Sequence, residues 1–311
     1  MENNTNSVSW LHGLEDYFRF KQNNLIADMC ADFLKVLYSE NKAPTLRNVV
    51  FESLKESATT DNIYNTLNFF SHTANREDNM KLEEISSALA LLFPDEPIFK
   101  IINKFYRQTT FDLSDVFSRS QVKSKIWLVT ELSKIKTDFD KVLILAGWYG
   151  QLLMYFNTIK FDSARIVELD RSACLISDDI INLDRIQNYQ VKAVHANINE
   201  LVLTKKGYEF QIENFKNPEQ KRFSERFQPD LIINTSAEHM TEEWFNAIRF
   251  KEIESDPIVV IQSNNLFEID DHVNCVYSID HMKKKYPMRE ILYEGELQLQ
   301  GYKRIMLIGR P

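Results

Sequence analysis

The chain has 311 residues, of which 44% are hydrophobic and 26% charged, enough for two domains with cores of their own and too apolar for a disordered chain. Its 45 acidic residues outnumber 37 basic ones, for a formal net charge of −8, which disfavours a protein that grips nucleic acid through its phosphates. No apolar run approaches the roughly 18 residues of a membrane span, and MENNTNSVSW lacks the basic-then-apolar layout of a signal peptide, so a cytoplasmic protein without a membrane partner is expected.

From residue 1 to about 118 there is a single glycine, Gly13, and apolar residues recur at intervals of three and four. Leu25, Ile26, Met29, Phe33, Leu34 and Leu37 predict one amphipathic helix. A second is expected after Pro44 with Thr45 as its N-cap, a third from Asp61, a fourth carrying Leu82, Ile85, Leu89 and Leu92, and a shorter one opened by Pro97. Residues 1–118 are therefore expected to form a helical bundle domain, whose open roles are to cap the rest of the chain, to bind an acceptor or to mediate association into a homo-oligomer. Cys30, Cys174 and Cys275 lie far apart and read as small buried hydrophobes in a reducing compartment. The six histidines show no H-x-x-x-H spacing and the cysteines no C-x-x-C, so no metal site is expected.

Ser118 to Ile135 predicts a longer helix with Ile126, Val129, Leu132 and Ile135 inward. It leads into Lys141 to Gly150, KVLILAGWYG, an apolar run entering a glycine-containing corner and then QLLMYF. That pattern predicts a buried strand, a tight turn and a helix whose N-terminal N–H groups face a ligand. About twenty residues on, ARIVELD predicts a second strand ending in carboxylates, beside the first turn in an open parallel sheet. Strand phase favours Glu168 over Asp170 as the acid that meets a ribose. Ser172 is then expected to cap a helix running to Ile186, and Gln190 to Ala196 to form a third strand.

Residues 203–229 are polar and charged with interleaved aromatics, Tyr208, Phe210, Phe215, Phe223 and Phe227, and are expected to be an insertion, a lid or a hairpin. DLIIN, ending at Asn234, predicts the fourth strand. The carboxyl ends of central strands face the ligand crevice, so Asn234, Ser236, Glu238 and His239 should gather there. Either Glu238 and His239 deprotonate an acceptor, or Glu238 caps the next helix and His239 packs structurally. PIVVIQS predicts the fifth strand, and Asn264-Asn265 after it either orient an acceptor or form a turn. Ile291 to Gln300, Gly301 and Tyr302 to Gly309 predict two strands joined tightly.

Val142 to Gly150 resembles, without a gap, the first motif of the class I S-adenosylmethionine (SAM) dependent methyltransferases, VLDLGCGTG. Val142 and Leu143 match and Gly150 stands at its last glycine. VELDRSA resembles the family's second motif with the ribose carboxylate at Glu168, and the likeness extends through VHAN and DLIINTSAEHM over roughly residues 120 to 311. GWYG, the NTSAEHM loop and QSNN are also similar to strings in phage-encoded proteins, a likeness that implies no activity. The family resemblance implies an α/β, Rossmann-like sheet domain over 119–311 with an antiparallel C-terminal hairpin, preceded by the all-α domain. A terminal hairpin distinguishes this architecture from a dinucleotide fold, which ends in a parallel strand. It implies SAM as cofactor, held at Ala146, Gly147, Trp148, Gly150 and Asn234, with Glu168 on ribose and Asn197 at adenine. Gln121, Lys125 and Trp127, just before the first strand, are candidate contacts to its carboxylate or adenine.

The sequence departs from the family at Ile144, in place of an acid, and at Ala146 and Trp148, in place of glycines. The indole is expected either to lie across the cofactor or to plug its site. Three readings follow: a methyltransferase acting on a small-molecule or macromolecular acceptor, an aminocarboxypropyl transferase similar to nicotianamine synthase, or a non-catalytic binding or assembly protein that keeps the fold. NTSA does not match the Asn/Asp-Pro-Pro-aromatic loop of exocyclic-amine methyltransferases, which disfavours adenine or cytosine as acceptor.

Overall fold

Four uninterrupted apolar strings, VLIL, LII, IVVI and IMLI, become the centre of a seven-stranded sheet, because strands buried on both faces have no polar side to alternate with. The computed structural model describes residues 3–37, 89–90, 92–93, 96, 98–99, 113–183, 190–215, 217, 219, 222–251 and 253–311. The helices expected to start at Thr45 and Asp61, and most of those carrying Leu82 and Ile101, lie outside the described residues. No helix among the described residues is long and apolar enough to cross a membrane.

The chain divides into two compact units, Met1–Ile126 and Trp127–Pro311. The first contains α1 (Asn3–Phe20), α2 (Asn24–Leu37), the single turn α3 (Leu113–Val116) and the start of α4 (Arg119–Ile135), so this division falls inside a helix. On α2 the expected apolar face is present: Ile26, Met29, Cys30, Phe33 and Leu34 are buried, as are Trp10, Leu14, Tyr17 and Phe18 of α1. Leu25, expected in that face, is 36% exposed.

In the second unit the main sheet comprises β1 (Asp138–Leu145), β2 (Lys160–Glu168), β3 (Val191–His195), β7 (Leu231–Asn234), β8 (Ile258–Asn264), β9 (Glu290–Gln298) and β10 (Lys303–Arg310). The strand order is β3-β2-β1-β7-β8-β10-β9. β1 pairs in parallel with β2 and β7, β2 with β3, and β7 with β8. β10 runs antiparallel to both β8 and β9, which closes the sheet with the expected hairpin. Its turn has Leu299 N–H donating to Tyr302 O at 2.9 Å and Gly301 at φ 83°, a conformation that favours glycine. The outer strand β9 alternates exposed and half-buried positions, as an edge strand with one face on the sheet must. Trp127, on α4, donates its indole N–H to the Tyr293 hydroxyl of this strand at 3.0 Å.

The 203–229 stretch forms a small antiparallel sheet, β4 (Val202–Thr204), β5 (Gly207–Ile212) and β6 (Phe223–Phe227). Tyr208, Phe210, Ile212 and Phe227 are buried in one cluster with Leu143, Leu145 and Ile232 of the main sheet. Trp244 and Phe245 of α6 (Glu243–Lys251), and Met282 of α7 (Ile279–Lys285) with Tyr286 just after it, complete the same cluster. Arg165 on β2 fastens the two sheets together through a two-pronged contact to Glu225 on β6, Nε and Nη2 each 2.6 Å from a carboxylate oxygen.

Two local expectations fail for identifiable reasons. The segment after the corner is a five-residue 3-10 turn, Gln151–Tyr155, rather than an α-helix, and all five side chains are buried. Since β2 already begins at Lys160, the link has no room for the three turns of a typical helix. The helix α5 (Arg171–Leu183) is capped by Asp170, not Ser172: the Asp170 carboxylate accepts from Ser172 N–H at 2.7 Å and its carbonyl from Cys174 N–H at 3.0 Å.

Candidate functional site

The strand order reverses direction between β1 and β7, and at such a point the two outgoing connections diverge and leave a crevice at the carboxyl ends. A hollow of about 410 Å³ lies there, within the several-hundred-Å³ range of cofactor sites. Its walls come from Ala146 after β1, Val167, Glu168 and Leu169 at the end of β2, Ala196 to Asn199 after β3, His239, Met240 and Thr241 after β7, and Val273. Leu169 and Val273 are 68% and 67% exposed, so the hollow offers apolar surface to a flat ring as well as polar groups.

The corner between β1 and the 3-10 turn is conformationally unusual. Ala146 and Trp148 have φ of 46° and 49°, a left-handed conformation that costs roughly 1–2 kcal/mol for a residue with a Cβ. Glu168 holds the corner in place. Its Oε2 accepts from Trp148 N–H at 2.8 Å, and its Oε1 from Leu169 and Asp170 N–H at 2.8 and 3.0 Å. The Trp148 ring stacks on Tyr149, centroids 4.3 Å apart, and is not part of the wall of the hollow. It therefore does not plug the cavity.

The two glycines of the corner face the protein interior. A Cβ on Gly147 would sit 2.4 Å from Ile166 Cγ2, and one on Gly150, at φ 71°, 2.6 Å from Ser177 Oγ and 2.8 Å from Ile166 Cδ1. These glycines let the corner lie against β2 and α5 rather than letting a ligand reach the main chain. Gly150→Ala is accordingly expected to lower stability by about 2–4 kcal/mol, from backbone strain plus overpacking, in urea unfolding. A loss under about 0.5 kcal/mol, the scale of a neutral surface change, would contradict this packing role.

The loop after β7 splits the residues expected to act together. Asn234 is fully buried and forms a turn, its Oδ1 accepting from Ser236 N–H at 2.9 Å. Glu238 is 3% exposed; its Oε1 accepts from Asn264 Nδ2 at 2.8 Å and lies 3.2 Å from Arg304 Nη1. Arg304, itself buried, also donates to Thr235 O. Glu238 thus ties three strand ends together from within a single 3-10 turn, Ala237–His239, and does not cap α6, which starts at Glu243. His239 alone of this group lines the hollow. Its Nδ1 is 3.3 Å from Asp271 O and 3.2 Å from Asp271 Oδ2, and its ring meets His272 edge to face with centroids 4.7 Å apart.

Five adjacent strands parallel, a final strand inserted antiparallel between the fifth and its neighbour, and a hollow beside the acid that ends the second strand together decide the architecture. This is the class I methyltransferase fold. No protein-family model matches the chain, and no curated protein does. Among solved structures it is similar to the N-methyltransferase NodS from Bradyrhizobium japonicum WM9, at 10% identity and TM-score 0.42 over 60% of this chain and 94% of that one. A SAM-dependent methyltransferase from Clostridium acetobutylicum ATCC 824 gives 13% identity and TM-score 0.42, covering 68% of this chain and 96% of its own. TrmK of M. capricolum, in complex with S-adenosyl-homocysteine, gives 12% and 0.37, covering 58% and 67%. The methyltransferase fold is assigned here on the strand order of the chain itself.

On that fold, Ala146, Glu168, Asn197 and His239 come together at the hollow, whereas Gly147, Trp148, Gly150, Asn234, Ser236 and Glu238 build the loops around it. Asn197 shapes its own turn, with Oδ1 accepting from Asn199 N–H at 3.1 Å and Nδ2 donating to Glu200 at 3.0 Å. Lys125 donates to Gln121 at 2.8 Å within α4. Asn264 forms a turn, accepting from Leu266 N–H at 2.9 Å, and Asn265 ties the loop to β10, accepting from Lys303 N–H at 2.7 Å. All three cysteines are free and buried, and burial, followed by the charge of Glu238, pushes the Cys275 thiol up to about 11. Sequence reasoning missed Arg304, Leu169, Val273 and His272. Arg304 alone carried a signal, a charged residue at the head of the apolar string IMLI, which asks for a buried partner.

Proposed function

We propose that this chain is a SAM-dependent methyltransferase whose hollow holds the adenosyl group and whose loop after β7 faces the methyl acceptor. The observation that carries the reading is the position of Glu168: an acid at the carboxyl end of β2, on the wall of the hollow, opposite His239 and Thr241. A carboxylate offers about four acceptor positions, and three N–H groups fill three of them. Glu168 is thereby fixed in orientation with one position left for a ribose hydroxyl. Leu169 and Ile198 supply apolar surface for adenine, and Asn197 and Asn199 amides at its edge. SAM supplies an electrophilic methyl on a sulfonium, and the chain's part is to hold it in line with an acceptor nucleophile and exclude competing water.

Glu168→Ala is expected to weaken S-adenosylhomocysteine binding by about tenfold or more, the worth of one charge-assisted hydrogen bond, in calorimetry on the purified chain. Unchanged affinity would remove Glu168 from the site. Product analysis separates methyl transfer, which leaves S-adenosylhomocysteine, from aminocarboxypropyl transfer, which leaves methylthioadenosine. One observation favours a second reading, a binding or assembly protein without transfer: Glu168 already latches a corner in which Ala146 and Trp148 stand in left-handed conformations. Absence of any thermal shift with SAM or S-adenosylhomocysteine would select it.

A further inference from the structure

We infer that Glu238, His239 and His272 form a binding site for a divalent transition-metal cation, Zn²⁺ being the ion the donors fit, beside the hollow that His239 lines. One ligand atom from each residue lies within 4.8 Å of the other two. Tetrahedral ligands with bonds near 2.1 Å stand about 3.4 Å apart, so the three donors close in on one another when the ion binds.

Three observations point to a cation. The first is the orientation of the rings. His272 Nδ1 lies 2.9 Å from Leu266 O, and His239 Nδ1 3.3 Å from Asp271 O and 3.2 Å from its carboxylate. Carbonyl oxygens only accept, so each Nδ1 carries the hydrogen and each Nε2 presents its lone pair, the arrangement in which outer hydrogen bonds steer metal-binding imidazoles.

The second is the carboxylate. Oε1 of Glu238 is taken by Asn264 and Arg304, whereas Oε2 is buried without a hydrogen-bond partner, on a residue only 3% exposed. A buried carboxylate oxygen left empty is costly, and a cation removes that cost. The third is the donor set. Two imidazoles and one carboxylate match zinc sites that keep a fourth position open, while Mg²⁺ and Ca²⁺ prefer all-oxygen shells. Because His239 lines the hollow, the open position is reached from it; that this is where an acceptor oxygen or sulfur would sit rests on the methyltransferase reading, and cation binding itself does not.

Histidine spacing gave no sign of this because the ligands come from two loops. Glu238 and His239 follow β7 and His272 follows β8, adjacent parallel strands whose carboxyl ends lie side by side. Asn274 N–H donating to Glu238 O at 2.8 Å clasps the two loops together.

The test uses the full chain, stripped with EDTA and titrated with Zn²⁺ by calorimetry and with Co²⁺ by visible absorption. One ion per chain is expected, with His239→Ala and His272→Ala each weakening binding by about 100-fold, more than loss of an outer partner typically does, and abolishing the Co²⁺ band. His239 is exposed, so its variant keeps the fold. Binding below one ion per chain, or wild-type affinity in both variants, would overturn the site. The inference does not rest on SAM binding: Glu168→Ala should bind Zn²⁺ as the wild type does, so failure of the cofactor reading and failure of the metal site are told apart.

Discussion

Replacing Arg304 with methionine is expected to destabilise the metal-free protein by about 3–5 kcal/mol, the usual consequence of leaving one member of a buried ion pair alone. The side chains of Arg304 and Glu238 are 5% and 4% exposed, with Nη1 and Oε1 3.2 Å apart. Without the guanidinium, Asn264 is the remaining donor to a carboxylate that water does not reach. Thr235 O and Gln262 Oε1 lose a donor as well. The double variant Glu238→Met/Arg304→Met removes both charges and should regain most of the loss, since apolar replacement of a whole buried pair is often neutral. Urea unfolding of the wild type, both single variants and the double variant measures this cycle. A loss below about 1 kcal/mol in Arg304→Met, the level of an exposed pair, would show that the contact is peripheral.

Phe210→Ala is expected to lower stability by about 3–5 kcal/mol, the range for deleting a buried aromatic ring. Phe210 is 1% exposed and stacks parallel to Tyr208 with centroids 6.0 Å apart, in the cluster that joins the small sheet to the main one. A segment that only closed over a ligand would behave differently: its variant would unfold like the wild type and lose turnover. No described residue of 203–229 lines the hollow, so cofactor affinity per folded molecule should stay unchanged in Phe210→Ala. Wild-type stability with weakened cofactor binding would restore the lid.

The parts of the fold legible in the sequence were those written in period and length. Strings such as VLIL and IVVI, short and closed by turn residues, suit a strand covered on both faces, and ELQLQGYKRIMLI contains both arms of a hairpin around its glycine. The place of Glu168 on the wall of the hollow was legible because it ends the second strand, while Asp170 falls at the helix start, where it serves as a cap. What was not legible depended on pairing at a distance. QLLMYF carries helix-forming residues, yet the early start of β2 compresses it into a single 3-10 turn. Glu238 looks like a free acid in NTSAEHM, and only the register of Arg304 opposite Asn264 brings the guanidinium that claims its Oε1. The charged composition of 203–229 conceals a buried face because β5 alternates sides, and counting residues does not separate the two sides.

The short turn after β1 also changes what sort of electrostatics the cleft has at its disposal. A long helix sums its peptide dipoles to roughly half a positive charge at its start, and five residues wound as Gln151–Tyr155 provide too few aligned peptides to do so. An amino-acid carboxylate entering from this side would meet individual donors instead of a diffuse positive pole. Discrimination between anionic and neutral guests at this end would then fall to single donors rather than to the field of a whole helix.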